Sequence, residues 1–263
     1  MMRTYTAAVV ACAGLAFCAL PLAMAADDPF IGQWKLNSEK SQFTGLTYKV
    51  EDAGGEKYKF VFGDDVETVT FDGKSHLTKY GNAWSVTKTG PNAWKWTIKR
   101  DGKVISDATW TVSDDGTTSD YVNEDTRPDG TKSQNETKLK RTAGSSGLVG
   151  TWESTKIKIG SPGTIEIAKW KNDGYAIVNP TYKGRTEFKL DGKDYADKGP
   201  RVAKGSTVSA RRIDERTIEI TYKLKGKTTE VDRYEVSSDG KTVTDTINFA
   251  GLEKSEVDVY DRQ

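Results

Sequence analysis

Cysteine and histidine are almost missing from this chain. Its 263 residues include only two cysteines, Cys12 and Cys18, and one histidine, His76. Disulfide scaffolds, zinc sites built from Cys and His, thiol nucleophiles and most catalytic triads need more of these residues than the chain has. We therefore expect a protein without catalytic residues, without a metal site and without a cofactor.

An excess of charge of one sign is also lacking. Lys and Arg total 39 and Asp and Glu total 38, so no net field favours nucleic acid as a partner. Apolar residues make up 35% of the chain. That share is small for one large core, but it is enough for thin β-layers in which alternate side chains are buried.

An uncharged apolar run at residues 7–20 follows the positive charge of Arg3. Residues 23–25 (AMA) then place small side chains where a signal peptidase reads them. The run is shorter than a typical transmembrane helix, and a membrane anchor is the alternative interpretation of it. The sequence predicts a signal peptide at 1–25, an exported (periplasmic or extracellular) bacterial protein, and a mature chain without cysteine or an integral membrane segment.

The rest of the chain contains two copies of one unit, because matching segments recur in the same order. Residues 30–34 (FIGQW) recur as 148–152 (LVGTW), and residues 71–74 (FDGK) recur as 190–193 (LDGK). Other pairs of segments keep nearly the same spacing, so chance is a poor explanation. The sequence therefore indicates a tandem repeat.

The seam between the two copies falls at residues 144–147 (GSSG), which have the composition of a short flexible linker. This seam predicts one domain at 26–143 and a second domain at 148–263. Each domain is expected to be a complete copy of the repeated unit.

Within each copy, hydrophobic residues recur at every second position. Residues 94–98 (WKWTI) and 218–224 (IEITYKL) alternate, and Asp-Gly pairs that favour tight hairpins stand between such runs. No segment shows convincing helical periodicity. The pattern predicts an all-β chain with two tandem antiparallel up-and-down β-barrels of roughly eight to ten short strands each.

Each copy opens with Gly-x-Trp on its first strand, at Gly32 and Trp34 and again at Gly150 and Trp152. This motif before an antiparallel meander resembles the lipocalin and fatty-acid-binding-protein (calycin) superfamily. It is also similar to exported bacterial lipocalin-like domain proteins with two tandem copies. The resemblance implies a barrel with this tryptophan as a structural plug at one end, which suits the large area that a buried tryptophan removes from water.

One position departs from that family. Fatty-acid-binding proteins usually hold the lipid carboxylate with an arginine two residues before a tyrosine on the last strand. Here Tyr260 matches the tyrosine, but Asp258 occupies the arginine position. A carboxylate there would repel a fatty acid head group.

The first copy is rich in tryptophan, and Trp94, Trp96 and Trp110 are candidate ligand-binding residues. Alternation places Trp94 and Trp96 on one face of a strand. Filling of the barrel interior by these indoles is the default for a small barrel. The alternative is an aromatic surface that stacks on a sugar or another flat ligand.

In the second copy, Arg212, Asp232 and Asp245 fall on faces that are otherwise apolar. A buried charge costs several kcal/mol unless it is paired or hydrated, so these residues need partners or water. They are expected to form either an internal Arg-Asp pair or, together with Tyr222 and Tyr234, a polar anchor in a wet cavity. Because the apolar side chains of this copy are smaller, it is the expected binding site.

These features lead to one functional expectation and one alternative. The expected function is non-catalytic binding of a small hydrophobic or amphipathic ligand in a barrel interior. The alternative is a structural or interaction module whose filled barrels bind a macromolecule or a glycan by their outer surfaces. An open cavity of a few hundred Å³ would favour the first.

Overall fold

The computed structural model describes residues 28–263. The signal peptide predicted at 1–25 and both cysteines lie outside this range. Within it, none of the helical segments has the length and apolar character needed to cross a bilayer.

Twenty strands make up almost all of the described secondary structure, together with one 3₁₀ turn, Pro180–Tyr182. The first ten are β1 (Gly32–Leu36), β2 (Thr47–Gly54), β3 (Lys57–Phe62), β4 (Asp65–Thr70), β5 (His76–Leu77), β6 (Ala83–Gly90), β7 (Ala93–Arg100), β8 (Lys103–Val112), β9 (Thr118–Thr126) and β10 (Lys132–Ser146). The second ten are β11 (Val149–Ile159), β12 (Thr164–Trp170), β13 (Gly174–Asn179), β14 (Gly184–Lys189), β15 (Tyr195–Ala196), β16 (Ser206–Asp214), β17 (Thr217–Leu224), β18 (Lys227–Val236), β19 (Thr242–Phe249) and β20 (Glu256–Arg262).

The strands follow the alternation in the sequence. In β7 the buried side chains are Trp94 and Trp96, while Lys95 between them is exposed. The turns follow the Asp-Gly pairs, and Gly102 between β7 and β8 has a φ of +77°, which glycine adopts without steric cost. The prediction of an all-β chain with two antiparallel barrel-like sheets is confirmed.

Two ten-stranded antiparallel sheets each curl into a nearly closed barrel. Barrel 1 has the strand order β4-β3-β2-β11-β10-β9-β8-β7-β6-β5. Barrel 2 has the order β14-β13-β12-β1-β20-β19-β18-β17-β16-β15. Each barrel surrounds its own hydrophobic core, so residues 28–263 contain two cores.

The first strands of the two repeats are exchanged between the barrels. Strand β1, from the first repeat, lies in barrel 2, where Trp34 pairs with Ile165 of β12 and Arg262 of β20. Strand β11, from the second repeat, lies in barrel 1 between β10 and β2. The barrels therefore do not coincide with the predicted domains 26–143 and 148–263. Barrel 1 contains β2 to β11, and barrel 2 contains β1 and β12 to β20.

A hairpin explains the exchange. The predicted linker 144–147 is instead the end of β10 and its turn into β11, with Ser146 opposite Val149. Such a short turn makes β11 the antiparallel neighbour of β10. Strand β11 thereby fills the place beside β10 that β1 would take in an isolated first copy. Strand β1 takes the equivalent place beside β20.

The two Gly-x-Trp motifs have matching surroundings in the two barrels. Trp34 and Trp152 are fully buried, and the indole N–H of each donates to a backbone carbonyl four residues earlier, both at 2.9 Å. The guanidinium of Arg262 lies 4.0 Å from the ring centre of Trp34, and that of Arg141 lies 4.1 Å from Trp152. Each tryptophan is thus held between the core and an arginine of the neighbouring last strand.

The glycine of each motif leaves room for that arginine. A Cβ at Gly150 would lie 2.7 Å from Nη1 of Arg141 and would contact the carbonyl oxygen of Ala143, and φ there is +144°. We expect Gly150→Ala to lower the free energy of unfolding by about 1–3 kcal/mol, through steric overlap and backbone strain. Urea denaturation followed by circular dichroism measures this change. Gly163→Ala is the matched control, since nothing lies within 4 Å of its Cβ position, and an equal effect at both sites would contradict the steric explanation.

Candidate functional site

Barrel 1 contains a half-open cavity of about 360 Å³. Strands β2, β3, β4 and β6 to β10 all contribute side chains to its wall, so it is the lumen of the barrel. The wall is mainly aromatic, with Tyr48, Phe60, Trp84, Trp96, Trp110 and Tyr121. Trp94, Trp96 and Trp110 are buried in the core of barrel 1, as the filling of the interior by indoles predicts, but space remains beside Trp96 and Trp110.

Three buried polar atoms on residues that line this cavity have no hydrogen-bond partner within the described part of the chain. They are the indole nitrogens of Trp84 and Trp96 and Oε2 of Glu67. Burial raises the pKa of Glu67 above its usual value. Two donors and one carboxyl group in an aromatic wall are the combination that orients a partly apolar ligand.

A second chamber, of about 560 Å³, lies where the two barrels meet. Phe62, Asp65 and Tyr80 line both this chamber and the barrel 1 cavity, so the two spaces adjoin. Tyr222 and Glu230 line the chamber from barrel 2. It is thus the mouth of the second barrel as well as a neighbour of the first cavity.

Direct contacts fix the barrels against each other around this chamber. The backbone N–H of Asp64 donates to the carbonyl of Ala250 at 2.7 Å, and the rings of Phe62 and Phe249 lie 5.0 Å apart. On another side, Nη2 of Arg100 donates to the carbonyl of Val202 at 2.6 Å. Both barrels therefore build the chamber.

A row of carboxylates continues from the chamber into barrel 2. It comprises Glu230 and Asp232 on β18, Asp245 on β19, and Glu256 and Asp258 on β20. Asp245 lies directly opposite Asp258 across the β19–β20 ladder, and cross-strand partners have Cβ atoms about 4.5–5.5 Å apart. We call these five residues the acidic row.

The three aspartates of the acidic row are buried, and its two glutamates, Glu230 and Glu256, are half-buried. Asp232, Asp245 and Asp258 are 5%, 3% and 9% exposed. Burial, followed by repulsion from the other carboxylates, raises the pKa of Asp232 and Asp245 well above the usual range and that of Glu256 to about 7. Burial also raises the pKa of Glu230 and Asp258.

Few hydrogen bonds compensate this burial. The hydroxyl of Tyr260 donates to Oδ2 of Asp258 at 3.1 Å, and Tyr234 lies directly opposite Asp245 on the neighbouring strand. In the described residues, Oδ1 of Asp232, Oδ1 of Asp245 and Oδ1 of Asp258 have no partner. Unpaired buried oxygens of this kind are costly, so they mark a place where a missing partner would be bound strongly.

The predicted internal pairing of Arg212 with Asp232 or Asp245 is wrong. Arg212 lies near the end of β16, with 32% of its side chain exposed, and pairs with Asp28 at 3.0 Å. Its guanidinium also contacts the hydroxyl of Tyr175. Two strand positions separate Arg212 from Ala210, the last buried residue of that face, so its long side chain reaches over the barrel end rather than into the core.

The other candidates from the sequence fall into two groups. Trp96 and Trp110 line the barrel 1 cavity, whereas Trp94 is buried but does not line it. In barrel 2, Asp232, Tyr234 and Asp245 lie in the interior and Tyr222 lines the chamber. The structure thus brings the barrel 2 residues together without Arg212.

Sequence reasoning missed Glu67, Glu230 and Glu256 as site residues and treated Asp258 only as a departure from a family pattern. The signal was present in the alternation, because Glu230 shares a strand face with Asp232, and Glu256 shares one with Asp258. Extension of the period-two pattern to the strand ends would have found the acidic row. Glu67 carried the same signal, because it shares a face of β4 with the buried Val69.

Comparisons with protein-family models, with curated proteins and with solved structures gave no match. Across residues 28–263, no group of three or more His, Cys, Asp or Glu side chains has an arrangement that could hold a metal ion. The site is therefore described by its own geometry: an aromatic cavity, an adjoining chamber and a buried acidic row.

Proposed function

We propose that this chain is an exported, non-catalytic binding protein that holds a small, partly apolar ligand inside barrel 1. The observation that carries the proposal is the 360 Å³ aromatic cavity, whose lining residues include three with an unpaired buried polar atom. Small-molecule sites in proteins are concave and mainly apolar, with a few polar groups that fix the ligand's orientation. The resemblance to the lipocalin-like proteins and the signal-like residues 1–25 support a carrier outside the cytoplasm.

The cavity favours a planar ligand. Its rings come from several strands and face one lumen, and a flat aromatic or polyene body offers them the largest contact area. An acceptor on the ligand would satisfy the N–H groups of Trp84 and Trp96, and a donor would satisfy Glu67. The same cavity argues against the alternative of two filled barrels that act only through their outer surfaces.

The test is titration of the protein with 2-naphthol, a planar probe that carries one hydroxyl group, followed by tryptophan fluorescence. We expect saturable binding at one site. Trp96→Phe keeps a ring in the wall but removes the N–H, so it should weaken binding about two- to tenfold, the usual net worth of one buried hydrogen bond.

Trp94→Phe is the matched control, since Trp94 is buried in the same strand but does not line the cavity. It should leave the affinity unchanged. A second variant, Leu139→Trp, fills the lumen from β10 and should abolish binding while the protein keeps its circular dichroism spectrum. Equal binding by the filled variant and the parent would overturn the assignment of barrel 1 as the site.

A further inference from the structure

We propose that barrel 2 contains a second, separate binding site for a compact organic cation, an amine with a short apolar tail, held by the acidic row. This proposal does not depend on the ligand of barrel 1. It rests on the placement of five carboxylates along one wall of barrel 2 and on the unpaired oxygens of three of them.

The acidic row leads from the chamber inward. Glu230 lines the chamber, and Asp232 is two residues further along the same face of β18, about 7 Å deeper at the usual rise of a strand. Asp245 and Asp258 are deeper again, next to Tyr234. A ligand that enters through the chamber would therefore meet carboxylates at successive depths.

The groups that face the acidic row from the neighbouring strands are tyrosines and aliphatic residues. Tyr222 and Ile220 of β17 lie opposite Glu230 and Asp232, and Ile247 of β19 lies opposite Asp232 on the other side. Tyr234 and Tyr260 complete the polar groups, and burial raises the pKa of all three tyrosines. None of these side chains supplies a positive charge. Lys223, Lys225 and Lys227 line the chamber at the outer end of the row, together with the carboxylate of Asp197, so a cation beside Asp232 and Asp245 must come from outside.

The chemistry selects an organic amine over the other cations. A metal ion needs several ligands that converge on one point, and the described residues contain no such group. A primary ammonium carries three N–H donors on one atom, which can reach oxygens at different depths. The aliphatic and aromatic wall beside the row provides apolar contact for a short tail.

Because of proton linkage, the proposal predicts how the affinity for an amine changes with pH. The buried carboxyl groups bind protons more tightly than exposed ones, so a cation must displace a proton to form an ion pair. Each ammonium that binds therefore releases up to one proton. Amine affinity should therefore rise as the pH rises from 6 to 8, while binding of an uncharged analogue should not change.

The experiment is calorimetric titration of the full chain with hexylamine, hexan-1-ol and hexanoate at pH 6 and pH 8. We expect hexylamine to bind at least tenfold tighter than hexan-1-ol at pH 8 and at least threefold tighter at pH 8 than at pH 6. Asp232→Asn and Asp245→Asn should each weaken hexylamine binding about tenfold. Glu67→Gln, which changes barrel 1 only, should leave it unchanged.

Other results of this titration would reject one of the two proposed sites. Equal affinity for hexylamine and hexan-1-ol, or no hexylamine binding to folded protein at either pH, would overturn the proposal. Loss of hexylamine binding in Glu67→Gln but not in Asp245→Asn would place the amine in barrel 1 and also overturn it. Binding of hexylamine with the expected pattern but no binding of 2-naphthol would leave this site standing and reject the function proposed for barrel 1.

Discussion

The free energy of unfolding should fall as the pH rises from 5 to 8. The carboxyl groups of the acidic row have a higher pKa in the folded protein than in the unfolded chain, where an exposed Asp or Glu titrates near 4. Between these two values the folded state holds more protons than the unfolded state. Their contribution to stability is therefore complete below the unfolded pKa and is lost as the pH passes the folded one.

The size of this effect follows from Glu256. Its pKa of about 7, against a usual 4.5, makes the protein about 2–3 kcal/mol less stable at pH 8 than at pH 5. Asp232 and Asp245 act in the same direction, because burial and the neighbouring carboxylates raise their pKa as well. Urea denaturation at several pH values, followed by circular dichroism, measures the slope.

Asp245→Asn should reduce this slope and raise stability at pH 8. The amide keeps the size of the side chain and one oxygen acceptor, but it removes the charge that opposes Asp258 and Asp232. Asp239→Asn is the control, because the pKa of this exposed turn residue lies below its usual value and the group stays ionised from pH 5 to 8. A stability that is constant or rises over this pH range would show that the acidic row is not buried as described.

A pair of cysteines at positions 35 and 261 should form an intramolecular disulfide in nearly every molecule. Lys35 of β1 lies opposite Asp261 of β20, and cross-strand Cα separations of about 4.5–5.5 Å are within the range that a disulfide spans. A chain that begins at Ala26 has no other cysteine. The oxidised product is detected by non-reducing electrophoresis and by peptide mass mapping.

The control is a pair of cysteines at positions 35 and 140. It tests the topology in which β1 pairs with β10 of its own repeat. By the repeat match, Lys140 of β10 is the counterpart of Asp261, and it pairs with Glu153 of β11. If each repeat formed its own barrel, the pair 35/140 would oxidise and the pair 35/261 would not. Disulfides between two molecules in the 35/261 protein would instead indicate that β1 is exchanged between chains.

Much of the fold was predictable from local pattern. The period-two alternation of residues such as Trp94 and Trp96 and the Asp-Gly turns determine where strands and hairpins lie, because both depend on neighbouring residues only. The burial of Trp34 and Trp152 follows from their size and their place on the first strand of each repeat. Asp232 and Asp245 could be assigned to an interior face for the same reason.

The rest depended on contacts between distant parts of the chain. Nothing in the sequence of β1 distinguishes the edge beside β10 from the edge beside β20, since both repeats offer a similar last strand with an arginine, Arg141 or Arg262. Arg212 shares the period of an interior face, but its position at a barrel end lets its side chain reach Asp28 instead. The strand exchange and the position of Arg212 depend on which strand edges pair and which residues lie at a barrel end in the folded chain.

The sequence by itself therefore determined an all-β chain of two repeated units and the inward placement of particular side chains. Only the tertiary structure decided that the repeats exchange their first strands, that a cavity remains beside the aromatic core of barrel 1, and that five carboxylates share one wall of barrel 2. The physical reason is that alternation fixes the face on which a side chain lies. The space left inside a barrel, and the partners that each side chain meets there, are set by all the strands together.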